Sequence, residues 1–354
     1  MISYYTPHLL PFLTTVGLKV PSRLKRLFYL SWEDALWDLL PQLEIKRGDT
    51  ILLPNFYCQD VINNIKTHGY KVALYPLDDN FQVSETKLLS IYNKIIPSIV
   101  ILFHACGITS SISQNQVILK HILTKSVLIE DSVHRVIDSS KIKLLQGRHL
   151  VIDSLRKNIP LPGSFVYFSS DSKMVLAIPH TNSVSYSLKV MIYYGLYRIV
   201  LATGVSLHLK SVIKFAHHTI LGLHDELVGD SITGNSGSPW ISWIHKYINI
   251  SKVRSHKINQ VLAYQKLLQP IIANPKIKIP NINRRDFGEL HAFPVIVLTP
   301  LSDKIESALL PINVWAKFTD SQWSKGRKAF FLPLGFHITL YDQQLIVKSI
   351  IESC

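Results

Sequence analysis

Cysteine is scarce in this chain: there are three in 354 residues, at positions 58, 106 and 354. Three scattered thiols make neither a disulfide framework nor a Cys-x-x-Cys redox or metal pair, so a reducing, cytoplasmic setting is the expectation. Acidic residues are also few, 24 against 38 Lys and Arg, which leaves a net charge of +14. That balance favours acidic partners such as nucleotides, phosphosugars or anionic membrane. Nucleic acid is set aside, because no RNP, zinc-finger or heptad signature accompanies the charge. Internal repeats and low-complexity tracts are absent, and the opening MISYYTPHLLPF lacks the basic start and cleavage site of a signal peptide.

One long apolar run does occur, 20 residues between Lys189 and Lys210 interrupted only by Arg198. A charge in mid-run and two glycines argue against a membrane span. The run reads instead as a buried or interfacial helix. Lys214, His217 and His218 follow it, with no acid before Asp225. A peripheral contact with anionic lipid therefore stays open.

With 47% hydrophobic and 18% charged residues the chain is a folded globular protein, long enough for one large and one smaller domain. Short apolar runs at 49–54, 70–75, 98–103, 126–129, 151–153 and 165–168 read as strands, and 59–68 as a helix stopped by Gly69. Strands separated by helical segments call for an α/β fold with a mostly parallel, helix-covered sheet. Helical pattern dominates 186–264, broken at 229–239. After a proline-bearing connection come strands at 293–298 and 330–332 and helices at 303–309 and 341–352. The expected division is a large α/β domain over 1–235 and a small α+β domain over 236–354.

In such sheets ligands sit beyond the carboxyl ends of the strands. Pro54, His104 and Asp131 fall at those ends. Asp131 closes the apolar run VLIED, and Lys157 follows 26 residues later in the run Ser154-Leu155-Arg156-Lys157. That order suits pyridoxal phosphate: a lysine forms the imine, an upstream carboxylate keeps the pyridine nitrogen protonated, and a hydroxyl binds phosphate. His134 and His104 are candidates to contact the cofactor ring. Ser31 and Trp32 open a helix whose N-terminus suits phosphate, and Phe56 or Tyr57 suits stacking on the ring. The spacing Ser-x-x-Lys also serves serine β-lactamases, but their SDN and KTG partners are missing here.

Taken in order, GDTILLPNFYC, HGYKVALYPLD, FHACG, IEDSVH, SLRKNIPLPG and FLPLGFHIT resemble successive segments of the DegT/StrS-type aminotransferases. These are pyridoxal-phosphate enzymes of fold type I that act on nucleotide-linked keto-sugars. The resemblance covers most of the chain and implies a seven-stranded-type sheet and a homodimer with shared sites. It implies Lys157 as the Schiff-base lysine, Asp131 on the pyridine nitrogen and Ser154 on the phosphate. His134 takes the place of a cofactor-contacting Gln, and Asn235 that of a loop asparagine reaching the partner's phosphate. It also implies an anionic sugar-nucleotide substrate and an amino donor such as glutamate. The chain departs from the pattern at Ser31-Trp32-Glu33, where the family has Ser-Gly-Thr, at Gly237 in place of a loop arginine, and at Cys58 in place of an aromatic residue. Two other readings remain beside the aminotransferase: a lyase or dehydratase using the same cofactor, and a non-catalytic homologue that binds a partner or a membrane surface.

Overall fold

The computed structural model describes residues 13–15, 17, 20–172, 174, 176–177, 184–207, 209–226 and 234–354. Its strands are β1 (Leu24–Tyr29), β2 (Thr50–Pro54), β3 (Lys71–Tyr75), β4 (Ile99–Phe103), β5 (Val127–Asp131), β6 (His149–Ile152), β7 (Ser164–Ser169), β8 (Ile277–Lys278), β9 (Ala292–Leu298), β10 (Ala316–Lys317) and β11 (Arg327–Pro333). The helices are α1 (Trp32–Gln42), α2 (Gln59–Thr67), α3 (Glu85–Ile95), α4 (Gln116–Leu123), α5 (Val184–Ser206), α6 (Lys210–Phe215), α7 (Leu221–Glu226), α8 (Pro239–His245), α9 (Ile250–Leu267), α10 (Leu301–Leu309) and α11 (Leu340–Ser353).

The chain packs as two compact units, each assembled from two stretches of sequence. One joins 3–45 to 137–252, the other 46–136 to 253–354. Folding thus joins segments distant in sequence within each unit.

In the unit of 46–136 and 253–354, β3, β2, β4 and β5 run parallel. Every residue of β4 and β5 is buried. Strands covered on both faces need unbroken apolar sequence, which is why IVILF and VLI carry no alternation. The helices α2, α3 and α4 connect them; Asn115 caps α4 by accepting from the backbone N–H of Val117 and Ile118. The same unit holds an antiparallel sheet in the order β10-β11-β9-β8, with α10 packed on α11. A capping box between Thr339 and Asp342 starts α11. Phe56, Phe81, Phe318, Trp323 and Phe331 form one aromatic cluster here, with ring centroids 4.7–6.2 Å from Phe56.

In the other unit β7 pairs antiparallel with both β1 and β6. Ser31 caps α1, which leads from β1. Strand β1 escapes a sequence reading because Lys25 and Arg26 interrupt the apolar pattern of LKRLFY. Its Arg26 guanidinium lies 4.4 Å from the centre of the Phe165 ring, an attraction that offsets part of the cost of a cation on a strand face. The apolar run is helical, as expected: α5 folds back on α6 and α7, which are joined through a π-helical turn at Ala216–Ile220. Among the described residues no helix is long and apolar enough to cross a membrane.

Glycine is required after β4. Gly107 has φ +98°, and a Cβ there would stand 2.6 Å from the His134 carbonyl oxygen and 2.6 Å from Leu290 Cα. Both obstacles are backbone and cannot swing away. Gly107→Ala is therefore expected to destabilise the protein by roughly 2–4 kcal/mol, combining left-handed strain with overpacking. Urea denaturation midpoints check this, and a variant as stable as the parent would contradict it.

Candidate functional site

Parallel register sets the site. β4 and β5 pair so that Phe103 stands opposite Asp131, and β2 and β3 so that Pro54 stands opposite Tyr75. The carboxyl ends of these strands thus face the same way. The loops leaving them carry Phe56-Tyr57, His104 to Gly107, and Asp131 to His134.

Asp131 is 1% exposed. Its Oδ1 accepts from the Val133 N–H at 3.1 Å, and its Oδ2 accepts a very short hydrogen bond from the Tyr57 hydroxyl. A buried carboxylate survives only with donors of this kind. Tyr57 in turn sets its ring edge-on to Phe103, 5.1 Å between centroids. Phe56, the other candidate for stacking on a cofactor ring, belongs instead to the buried aromatic cluster.

Glu130 and Asp131 are neighbours on a strand, so their side chains leave on opposite faces. Glu130 takes the other face and meets His104, with 2.9 Å between Oε2 and Nε2. The His104 Nδ1 accepts from the Ser110 N–H at 3.0 Å. A ring nitrogen that accepts carries no proton, so the proton of neutral His104 sits on Nε2 and is donated to Glu130. Burial pushes this imidazole below its ordinary pKa, against the pull of Glu130. Both of its ring nitrogens are thereby committed within the protein. His134 is 3% exposed and accepts from the Cys106 N–H at 3.2 Å through Nδ1. Its ring stacks on His291 at 5.1 Å and 14°.

Lys157 lies in the other unit, in the short 3-10 turn Leu155–Lys157 that follows β6. It is partly buried. The turn is pinned at both ends: Leu155 N–H donates to the Gly163 carbonyl at 2.9 Å, and Ile159 N–H to the Leu155 carbonyl at 2.8 Å. Ser154 stands at its start, 8% exposed, and its side chain does not cap the turn. Asp153, just before it, is a residue the sequence reading passed over. Its Oδ1 accepts from the Phe165 N–H at 2.6 Å and its Oδ2 from the Tyr167 hydroxyl at 3.3 Å. These bonds tie the end of β6 to β7 and so aim the lysine turn. Burial pushes the Asp153 carboxyl up to about 7, although the Phe165, Tyr167 and Arg26 groups draw it down.

The start of α1 differs from expectation. Ser31 accepts from the Asp34 N–H at 3.0 Å and donates its hydroxyl proton to Asp34 Oδ2 at 2.6 Å. Asn235 donates to Asp34 Oδ1 through its backbone N–H at 3.0 Å and its side-chain amide at 2.8 Å. Ser31 and Asn235, both read from sequence as phosphate ligands, are thus brought together on a buried carboxylate. Trp32 is buried beside them. Desolvation lifts Asp34 to about 6 despite these donors.

Sequence reading also missed Lys257 of α9. It is 2% exposed, donates to the Leu290 carbonyl at 2.6 Å, and is pushed down to about 7 by burial. Its only sequence signal is a lysine at an inward position of a helix. A pyridoxal-phosphate ring and imine suit the donor-lined Asp131 and the turn-borne Lys157, each judged in its own unit. A phosphate does not suit the carboxylate-filled start of α1.

No protein-family model matches this chain, and no curated protein matches it. Solved structures do. NtdA from Bacillus subtilis, with bound cofactor PMP, superposes with a TM-score of 0.57 at 15% identity, covering 93% of this chain and 73% of that one. PseC from Helicobacter pylori, an aminotransferase involved in the biosynthesis of pseudoaminic acid, gives 0.60 at 12% identity over 96% and 87%. A DegT DnrJ EryC1 StrS aminotransferase from Brucella abortus gives 0.53 at 13% identity over 92% and 85%. These likenesses show the fold: a mixed α/β chain of the fold-type-I kind, as the sequence resemblance implies.

Two predictions follow from the buried carboxyls. Tyr57→Phe removes a donor from Asp131 and is expected to lower stability by about 1–3 kcal/mol, read from urea midpoints; a neutral change would show that the bond contributes nothing. For Asp153 the sign is set by a raised pKa. Between its ordinary 3.8 and about 7 the native chain holds a proton that the unfolded chain releases. Stability from this group is present at low pH and lost as pH rises through that window. Asp153→Asn should gain on the parent by roughly 2–4 kcal/mol from pH ~4 to ~7. A difference that does not vary with pH would refute the assignment.

Proposed function

We propose that the chain is a pyridoxal-phosphate-dependent aminotransferase acting on a keto-sugar, nucleotide-linked, with glutamate or a similar amino donor. Asp131 carries the reading. It is a dry carboxylate at the carboxyl end of a buried parallel strand, set by two donors, in a chain whose fold is that of known aminotransferases. When bound, the cofactor supplies an aldehyde that condenses with amines and a ring that takes up the electron pair released at the substrate carbon.

The chain's own residues do the rest. Lys157 would provide the amine that anchors the cofactor and, when free, would be the base that takes the proton from the amino donor's α-carbon. Asp131 would hold a proton on the pyridine nitrogen, with the Tyr57 hydroxyl and the Val133 N–H keeping its carboxyl oxygens in place. Ser154 offers its hydroxyl to the phosphate. The excess of Lys and Arg suits an anionic substrate, and assembly as a homodimer belongs to the same reading.

A second reading keeps the fold without the chemistry. The observation that favours it is the engagement of Ser31 and Asn235 with Asp34, which ties up the two side chains read as phosphate ligands at the start of α1.

One experiment separates the two. Protein incubated with pyridoxal phosphate, reduced with borohydride and digested should carry a phosphopyridoxyl group on the Lys157 peptide. No adduct would favour the second reading, and an adduct on Lys257 would move the anchor there. In the loaded enzyme, glutamate should convert the cofactor to its amine form, whereas a lyase would not make that conversion. Lys157→Ala is expected to lower turnover by roughly 10²–10⁴-fold.

A further inference from the structure

The hairpin of α5 with α6 and α7 has its own core: Tyr194, Tyr197 and Leu201 pack on Ile213, Ala216 and Ile220. A cation stands at the edge of that core. The Nε, Nη1 and Nη2 atoms of Arg198 are all closed to solvent and have no hydrogen-bond partner among the described residues. Its guanidinium carbon lies 5.9 Å from the centre of the Tyr194 ring and 5.9 Å from that of Tyr197. Ring faces attract the flat side of a guanidinium, but its N–H groups point outward in the plane and still need acceptors. The group cannot shed its proton, so burying it unmatched is strongly unfavourable.

The hairpin cannot supply the missing anion itself, because from Ser172 to His224 the sequence has no Asp or Glu. Space for one from outside lies beside the arginine. Long side chains on a helix lean back over the preceding turn. Gly195, three residues before Arg198, is on that turn, and a Cβ there would meet nothing within 4 Å. Across the hairpin, Ala216–Ile220 forms a π-helical turn, a form found frequently at functional sites. A planar fork of N–H donors matches the paired oxygens of a carboxylate or a phosphate.

We propose that Arg198 is the floor of an oxyanion site, entered over Gly195, that takes a phosphate or carboxylate group on the guanidinium fork. This inference does not rest on the aminotransferase reading. The full chain is to be melted in chloride, then in phosphate and in malonate at the same ionic strength. The matching anion should raise the wild-type midpoint by about 2–4 °C, levelling off with concentration. Comparing the two anions tells a phosphate site from a carboxylate one. Arg198→Met replaces an unmatched cation by an apolar chain, so in chloride it should melt at or above wild type, with the response to either anion gone. Gly195→Leu should close the entry and lose the response while melting no lower than wild type in chloride. Equal rises in wild type and Arg198→Met would be the general effect of excluded salts and would overturn the proposal. No rise in wild type, an Arg198→Met that melts well below wild type in chloride, or a Gly195→Leu that responds as wild type does would each overturn it too.

Discussion

A carboxylate deprived of water must find donors, and Asp131 is the place where this fold meets that demand. Its position ends β5, its partner strand β4 puts Phe103 opposite, and the His104 N–H closes the pair by donating to the Asp131 carbonyl at 3.0 Å. A one-residue slip of β5 would exchange Glu130 for Asp131 on the two faces of the sheet. The Tyr57 hydroxyl would then face the wrong acid, and His104 would lose its acceptor. Two buried acids with different partners thus fix the register more firmly than the apolar residues before them, which would tolerate either face.

The same demand recurs at two other acids. Asp153 takes its donors from β7, Asp34 from its own helix start and from a residue 201 positions away. In each case burial lifts the carboxyl while hydrogen bonds draw it back. Glu289 shows the opposite balance. Burial works against its charge, but the guanidinium groups of Arg135 and Arg254 hold its carboxyl below the ordinary value. The difference lies in the partners: neutral amide and hydroxyl donors compensate part of the desolvation, and cations more than all of it.

Much of the fold was legible from residues alone. The runs TILLP, IVILF and VLI announce buried parallel strands, Gly69 at φ +89° ends α2 as its position suggested, and the C-terminal strands and helices fall within a few residues of where their patterns put them. Strand β1 was not legible, because Lys25 and Arg26 interrupt any apolar period and the compensation comes from the Phe165 ring in β7. The division into units was not legible either, since it joins segments about a hundred residues apart. At the candidate site the order of motifs pointed to Asp131, but not to Tyr57 as its donor. A hydroxyl 74 positions upstream announces nothing in local pattern. The pairing of His104 with Glu130 was hidden for the same reason, although each residue stood inside a motif already singled out.

The start of α1 shows how a departure in sequence acquires physical meaning. A helix N-terminus presents free N–H groups and the positive end of the dipole, and it favours whatever anion sits there. Here the anion is supplied by the chain itself. Asp34 occupies the first turn, Ser31 both accepts from its N–H and donates to its carboxylate, and Asn235 adds two more donors. An external phosphate at this end would meet a carboxylate whose donors are already spent, and like charges in a dry site repel strongly. Glycine at 234 makes this closure feasible: a Cβ there would lie 2.4 Å from Asp38 Cβ and 2.7 Å from the Asp34 carbonyl oxygen. The loop carrying Asn235 can therefore approach α1 as closely as it does only because residue 234 has no side chain. In this chain the tight loop and the acid in the first turn are one arrangement.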